Sequence, residues 1–320
     1  MMIEMYKRSN VYDIVNKDIN NNMVSHAYLL SSEDVELLYA YSKCMAKQLL
    51  CSDDICDECS NCIRVEKGTH TDVLVYPKDG AKQILTNDIL EIISSSFVSS
   101  GERYKVFILN NFDKTAPQAQ NKFLKTLEEP PKNVVFILIS TDVKSVLRTI
   151  VSRCKQINVR SLTIDELTKV AESIENKCGL SASDLAKSSK SLTTMMKMVG
   201  NSYYLNLRYD VVSVFTKMKH SSQMLNYIYS LSKYKDVLEV LTELNVVVLD
   251  LLYLKNGISN ISNNVYISEL QSVANEFSIK ALNKIALHIK QSITKINSNC
   301  NVNLVYDDLL MYILEVKSKC

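Results

Sequence analysis

RYKVFILNNFDKTAPQAQNKFLKTLEEPPKNVVFILISTDVKSVLRTIVSRCKQINVR, residues 103–160, decides the fold of this chain. Two continuous apolar runs, 106–109 and 134–139, are rich in β-branched residues and predict strands buried on both faces. A helix is expected between them. Thr115 can cap it, Pro117 suits its first turn, and Pro130-Pro131 stops it. Ala119, Phe123, Leu124 and Leu127 recur on one side at helical spacing. Strand, helix and strand within so short a stretch imply a right-handed crossover in a parallel sheet. Such sheets bind ligands at the carboxyl ends of their strands. Those ends hold Asn110-Asn111 and Ser140-Thr141-Asp142, and Ser152-Arg153-Cys154 precedes a further short strand at 156–159.

Working outward, residues 1–25 predict a helix with Val11, Ile14 and Val15 on one face, followed by a strand over 25–30 that ends at Ser31. A second strand is expected at 73–76. A helix over 86–98 should pack Ile89, Leu90, Ile93 and Phe97 on the sheet. His26 and His70 are read as structural residues. Beyond Arg160 the strand signals stop, and 161–167 reads as a capped helix start. Long helices follow, including 224–232, 237–254 and 280–296, with an Asn/Ser-rich loop at 256–264.

A chain of 320 residues with 47% hydrophobic and 22% charged residues is an ordinary folded composition, long enough for two or three domains. Its net charge of +2 is too small to predict nucleic-acid binding. Residues 103–160 differ, with 11 Lys/Arg against 4 Asp/Glu. That surplus is either a solvated basic face or a surface for an anionic partner. The opening MMIEMYKRSN lacks the apolar core of a secretory signal. The apolar run near 246–254 contains Asp250 and falls short of the ~18 residues of a membrane helix. A cytoplasmic protein is expected, and nine cysteines in a reducing compartment then point to a metal site rather than disulfides.

Cys51, Cys56, Cys59 and Cys62 fall within twelve residues, in a hydrophilic, turn-like segment. The spacing matches tetrahedral zinc ligation by four thiolates, which leaves no open position for catalysis. An iron–sulfur cluster and four free surface thiols are the competing readings. Cys44, Cys154, Cys178, Cys300 and Cys320 stand alone and are expected as small buried apolar residues.

Lys125-Thr126-Leu127-Glu128-Glu129-Pro130-Pro131, followed by Ser152-Arg153-Cys154 after an apolar strand, resembles the ATPase core of bacterial clamp-loader subunits. This is the AAA+ group that includes the gamma/tau and delta-prime subunits of DNA polymerase III. The resemblance covers residues 20–160 closely and the remainder in outline. It implies an α/β AAA+ (P-loop NTPase-like) parallel-sheet core over 1–160, with a structural zinc module at 51–62 after the first helix. It further implies a small helical lid over 161–202 and an all-helical oligomerisation collar over 203–320.

The chain departs from that pattern where nucleotide chemistry would sit. Active members carry GxxxxGK[ST], whose backbone amides cradle phosphate, whose Lys neutralises its charge and whose hydroxyl holds Mg²⁺. Residues 31–39 read SSEDVELLY. Ser32, Leu38 and Tyr39 are degenerate positions, the last two standing where Lys and Ser/Thr belong. Glu33, Asp34 and Glu36 would repel a triphosphate. Asn110 and Asn111 replace the Asp-Glu pair that serves Mg²⁺ and the attacking water, and Asp113 is expected to point elsewhere. Thr141 holds the polar sensor position, and 188–196 lacks the lid arginine, with Thr194 near its place.

The resemblance nevertheless implies that Arg153 projects into the ATP site of an adjacent subunit as an arginine finger, against the plainer reading of a surface cation. The expectation is a delta-prime-like subunit without productive ATP binding and with no enzymatic activity of its own. It would act as a stator beside gamma/tau and delta subunits, reaching the sliding clamp and primed DNA through the complex, with no membrane partner. A gamma/tau-type ATPase would need the missing phosphate loop. A zinc-dependent nucleic-acid binder would need basic residues around the cysteines, where Asp53, Asp54, Asp57 and Glu58 stand instead.

Overall fold

The apolar runs of residues 103–160 form two inner strands of a five-stranded parallel sheet. The computed structural model describes residues 1–320 except 53, 79, 80, 82, 176–179, 201, 319 and 320. The chain divides into two compact units, Met1–Leu162 and Thr163–Cys320.

In the first unit, β1 (Ala27–Ser31), β2 (Val73–Tyr76), β3 (Lys105–Leu109), β4 (Val134–Ser140) and β5 (Lys155–Asn158) lie in the order β2-β3-β4-β1-β5. Its helices are α1 (Met2–Lys7), α2 (Asn10–Asn20), α3 (Val35–Leu50), α4 (Ser60–Glu66), α5 (Thr86–Ser96), α6 (Pro117–Glu128) and α7 (Arg148–Val151). Every residue of β3 and β4 is buried, which is why 106–109 and 134–139 read as unbroken apolar runs rather than alternating ones. Phe107 stands opposite Phe136 in the β3–β4 register, with ring centroids 5.3 Å apart. Phe123 of α6 meets Phe136 edge-on at 5.0 Å, so the crossover helix is locked to the sheet by aromatic contact as well as by area.

Three local expectations are corrected. The first helix is broken at Ser9, whose Oγ accepts from Tyr12 N at 3.3 Å and caps α2. Ser9→Ala is expected to cost about 1 kcal/mol of stability in urea unfolding. Thr115 does not cap α6: Ala116 occupies that position, and the Thr115 hydroxyl is buried without a partner among the described residues. Pro117 does take the first turn. The third concerns α5, which buries Ile89, Ile92 and Ser96, with Ile93 partly covered. Leu90 and Phe97 are 47% and 66% exposed, because at about 100° per residue they lie roughly a quarter turn from that face.

The second unit is helical: α8 (Ile164–Ser173), α9 (Ala182–Ser189), α10 (Leu192–Gly200), α11 (Ser202–Thr216), α12 (Met224–Ser232), α13 (Val237–Lys255), α14 (Ile267–Ala274), α15 (Ile279–Asn297) and α16 (Val302–Ser318). Thr163 and Glu166 form a reciprocal capping box at the start of α8. A buried polar network crosses the unit. Arg208 of α11 donates to Glu243 of α13 at 3.3 Å and to the Ser188 carbonyl of α9 at 2.8 Å. Asp250, deep in α13, accepts the backbone amides of Ser262 and Asn263, both at 2.8 Å. Among the described residues, no helix is long and apolar enough to cross a membrane. Cys44 and Cys154 are buried as expected, whereas Cys300 is exposed in the connection between α15 and α16. Cys178 and Cys320 lie outside the described residues.

Candidate functional site

β1 leads to β2 at one edge of the sheet and β4 leads to β5 at the other, although β1 and β4 are hydrogen-bonded neighbours. Chains leaving in opposite directions open a crevice at the carboxyl ends of these two strands, where sheets of this kind bind ligands. Ser31 and Ser140 stand opposite each other there, and the Ser140 hydroxyl is buried with no partner among the described residues.

The turn after β1 spends its own polar groups. Asp34 N donates to Ser32 Oγ at 3.3 Å, and Asp34 Oδ1 accepts from Leu37 N at 3.3 Å, capping α3. Helix N-terminal amides are the usual anion-binding donors; here a carboxylate of the same turn already holds one of them. Leu38 is fully buried, and Tyr39 is half-buried at a cleft of about 320 Å³ that Glu36, Asn110, Asn111, Val75 and Ile139 also line. Burial, then the charge of Asp34, raises the carboxyl of Glu36 above its ordinary value.

Asn110 N donates to Tyr76 O at 2.8 Å, and its Oδ1 is buried without a partner among the described residues. Asn111 adopts the left-handed conformation at φ 51°, which asparagine tolerates better than most residues. The chain therefore turns into a single 3₁₀ turn, Phe112–Lys114, and brings Asp113 back to the strand ends. Thr141 Oγ1 donates to Asp113 Oδ2 at 3.0 Å, so Asp113 does not point elsewhere; it occupies the Thr141 hydroxyl at the end of β4. Thr194 lies in the second unit, where its N donates to Ser191 Oγ at 3.1 Å.

Arg153 follows the end of α7. Its Nη1 donates to Thr149 O and its Nη2 to Glu128 Oε1, each at 2.7 Å. Ser152 Oγ donates to Thr149 O at 3.1 Å, which fixes the same short turn. Burial pushes the Cys154 thiol up to about 12, as suits a core residue rather than a nucleophile.

The four clustered cysteines converge. Cys51 follows α3, Cys59 caps α4 and Cys62 lies in its first turn. Sulfur separations are 3.5 Å for Cys51–Cys56, 3.9 Å for Cys51–Cys59 and 4.0 Å for Cys56–Cys62, with all four within 4.8 Å. Zn–S bonds of about 2.3 Å in a tetrahedron would space the sulfurs about 3.8 Å apart, so the donor set fits a metal ion of that kind. The amide of Cys59 points at Cys56 Sγ and helps to draw that thiol down to about 7. Asp54 and Asp57 turn the loop in left-handed conformations. Lys47, 3% exposed, bonds Asp57 at 2.6 Å and Glu66 at 2.7 Å, while Lys7 pairs with Asp54 at 2.7 Å. The module's acidity is thus answered from within the unit; Asp53 lies outside the described residues. His70 stays out of the cluster, its Nδ1 accepting from Asp72 N. Burial lowers the pKa of both His70 and His26.

Two family models match the chain. The first, described as DNA polymerase III, delta subunit, matches residues 7–163, and the second, the C-terminal part of that subunit, matches residues 202–315. The DNA polymerase III gamma subunit of Buchnera aphidicola subsp. Acyrthosiphon pisum is 29% identical over 167 residues, 51% of this chain and 46% of that protein. The delta′ subunit of Bacillus subtilis is 28% identical over 157 residues, 48% of this chain and 47% of that protein. The chain spans less than half the length of these relatives. The crystal structure of a gamma subunit-related protein of Thermotoga maritima matches 99% of this chain and 100% of its own, with a TM-score of 0.52 at 16% identity, a likeness of fold. With the sheet-bearing first unit and most of the helical second unit each matched by a model of the same subunit, this chain belongs to the family of DNA polymerase III clamp-loader subunits.

Proposed function

We propose that this chain is a delta-prime-like clamp-loader subunit that hydrolyses no ATP in its own cleft and donates Arg153 to the ATP site of a neighbouring subunit. Relatives named gamma and delta′ align about equally well, so the subunit type rests on the residues of the cleft. One observation carries the reading: Asp34 caps α3 where an anion would have to bind, beside a Leu38 sealed in the core. A triphosphate placed there meets the carboxylates of Asp34 and Glu36 instead of a lysine. Mg²⁺ meets the amides of Asn110 and Asn111, which carry no charge to hold it.

In this reading the subunit is a rigid stator beside gamma/tau and delta subunits in the bacterial cytoplasm. ATP-driven rearrangement of the ring opens the sliding clamp and sets it on primed DNA. Residues 1–160 serve as the core, 161–202 as a lid and 203–320 as the oligomerisation collar. Cys51, Cys56, Cys59 and Cys62 hold a structural zinc, with His70 excluded.

The test is thermal unfolding of the isolated chain with ATP and Mg²⁺, together with phosphate release. Ligand at 100 times its Kd would add about 2.7 kcal/mol of stability, so millimolar nucleotide would reveal a site of roughly 10 μM affinity. No shift and no turnover are expected. A saturable shift accompanied by turnover would favour the gamma/tau-type ATPase, for which the Asp113 carboxylate beside Thr141 is the supporting observation.

A further inference from the structure

We propose that Glu128 is a counter-anion that keeps Arg153 in reserve until a phosphate displaces it. This inference rests on the reading of Arg153 as a finger acting in trans, and adds the residue that positions it. Glu128 is the last residue of α6, and Pro130-Pro131 bars the helix from continuing past it. A carboxylate at a helix C-terminus faces the negative end of the helix dipole and is unfavourable there unless a cation answers it. Arg153 is that cation, bonded to Glu128 Oε1 at 2.7 Å, with Thr149 O taking a second N–H at the same distance.

The two side chains are 34% and 51% exposed, so water screens the pair and its hold is weak. The guanidinium meets only Oε1 of the Glu128 carboxylate, whereas a γ-phosphate carries more charge on three oxygens and allows the stronger two-bonded, charge-assisted pairing. Exchange of carboxylate for phosphate is therefore downhill once a neighbour's nucleotide arrives. Until then the finger lies against its own subunit. Glu128 acts only through Arg153; it is a positioning residue.

The experiment measures kcat/KM for ATP of the assembled loader carrying the natural chain, E128Q, R153A or both substitutions. E128Q keeps the shape of the side chain and removes its charge. It is expected to raise kcat/KM about two- to five-fold, the range an exposed ion pair commands, by lowering KM. R153A should reduce kcat/KM sharply, and E128Q added to R153A should change nothing further. Unchanged turnover with R153A would overturn the finger reading and the latch together. If R153A lowers turnover, the latch alone is overturned by an E128Q that lowers kcat/KM, leaves it unchanged, or raises it equally in the R153A background.

Discussion

Arg153→Ala is expected to reduce ATP hydrolysis at the site it faces by about a thousandfold or more, in a loader that still assembles. Arginine fingers contribute roughly 10³–10⁵ to turnover because their hold on the γ-phosphoryl group, already made to bound nucleotide, strengthens as charge shifts in the transition state. The total rate should therefore fall by the share which that one site contributes. Assembly should survive, since the contacts Arg153 makes within its own subunit are an exposed ion pair and one carbonyl. Arg153→Lys should restore little: an ammonium is a point charge and lacks the planar fork that spans two phosphate oxygens. Clamp- and DNA-stimulated hydrolysis, measured on complexes of verified subunit content, decides the matter. Full turnover in an intact R153A complex would reduce Arg153 to a partner for Glu128.

Loss of the metal is expected to have the second large effect. Metal analysis should find one zinc per chain and no visible absorption of an iron–sulfur cluster. Structural zinc sites hold their metal with about 10–16 kcal/mol of binding free energy near neutral pH. Cys56→Ser together with Cys59→Ser should abolish binding and release the segment around 51–62 to proteolysis. The effect should spread beyond the loop through Lys47, which is 3% exposed and paired with Asp57 inside the module. With Asp57 displaced, that largely buried ammonium keeps Glu66 as a partner, and because both carboxylates are more than half exposed, water screens the loss to about 1 kcal/mol. The melting temperature should drop by several degrees or more. A metal-free chain that melts where the loaded one does would remove the site.

The strands and the cysteine cluster were legible because their signals are local. β3 and β4 carry the unbroken apolar runs 106–109 and 134–139, and four thiols within twelve residues leave few geometries open. Caps were less legible. Ser9 and Thr115 carry the same kind of hydroxyl, yet only Ser9 bonds a helix amide, because Thr115 closes the preceding 3₁₀ turn Phe112–Lys114 and Ala116 takes the capping position of α6. In α5, two apolar stripes lie side by side, and composition does not say which of them meets the sheet. The pairs Thr141–Asp113 and Arg153–Glu128 join residues 28 and 25 positions apart, so only the folded chain reveals them. A left-handed Asn111 redirects Asp113, and an adjacent Asn-Asn was the available hint.

The burial of Leu38 also bears on reversibility. A lysine restored at that position would carry its ammonium into a core that excludes water, at a cost of several kcal/mol. The Asp34 carboxylate would still block the helix end. If the cleft is nucleotide-free as proposed, acquiring nucleotide chemistry would demand several coordinated substitutions, each costly without the others, so the fold would hold the subunit in that state as if by a ratchet.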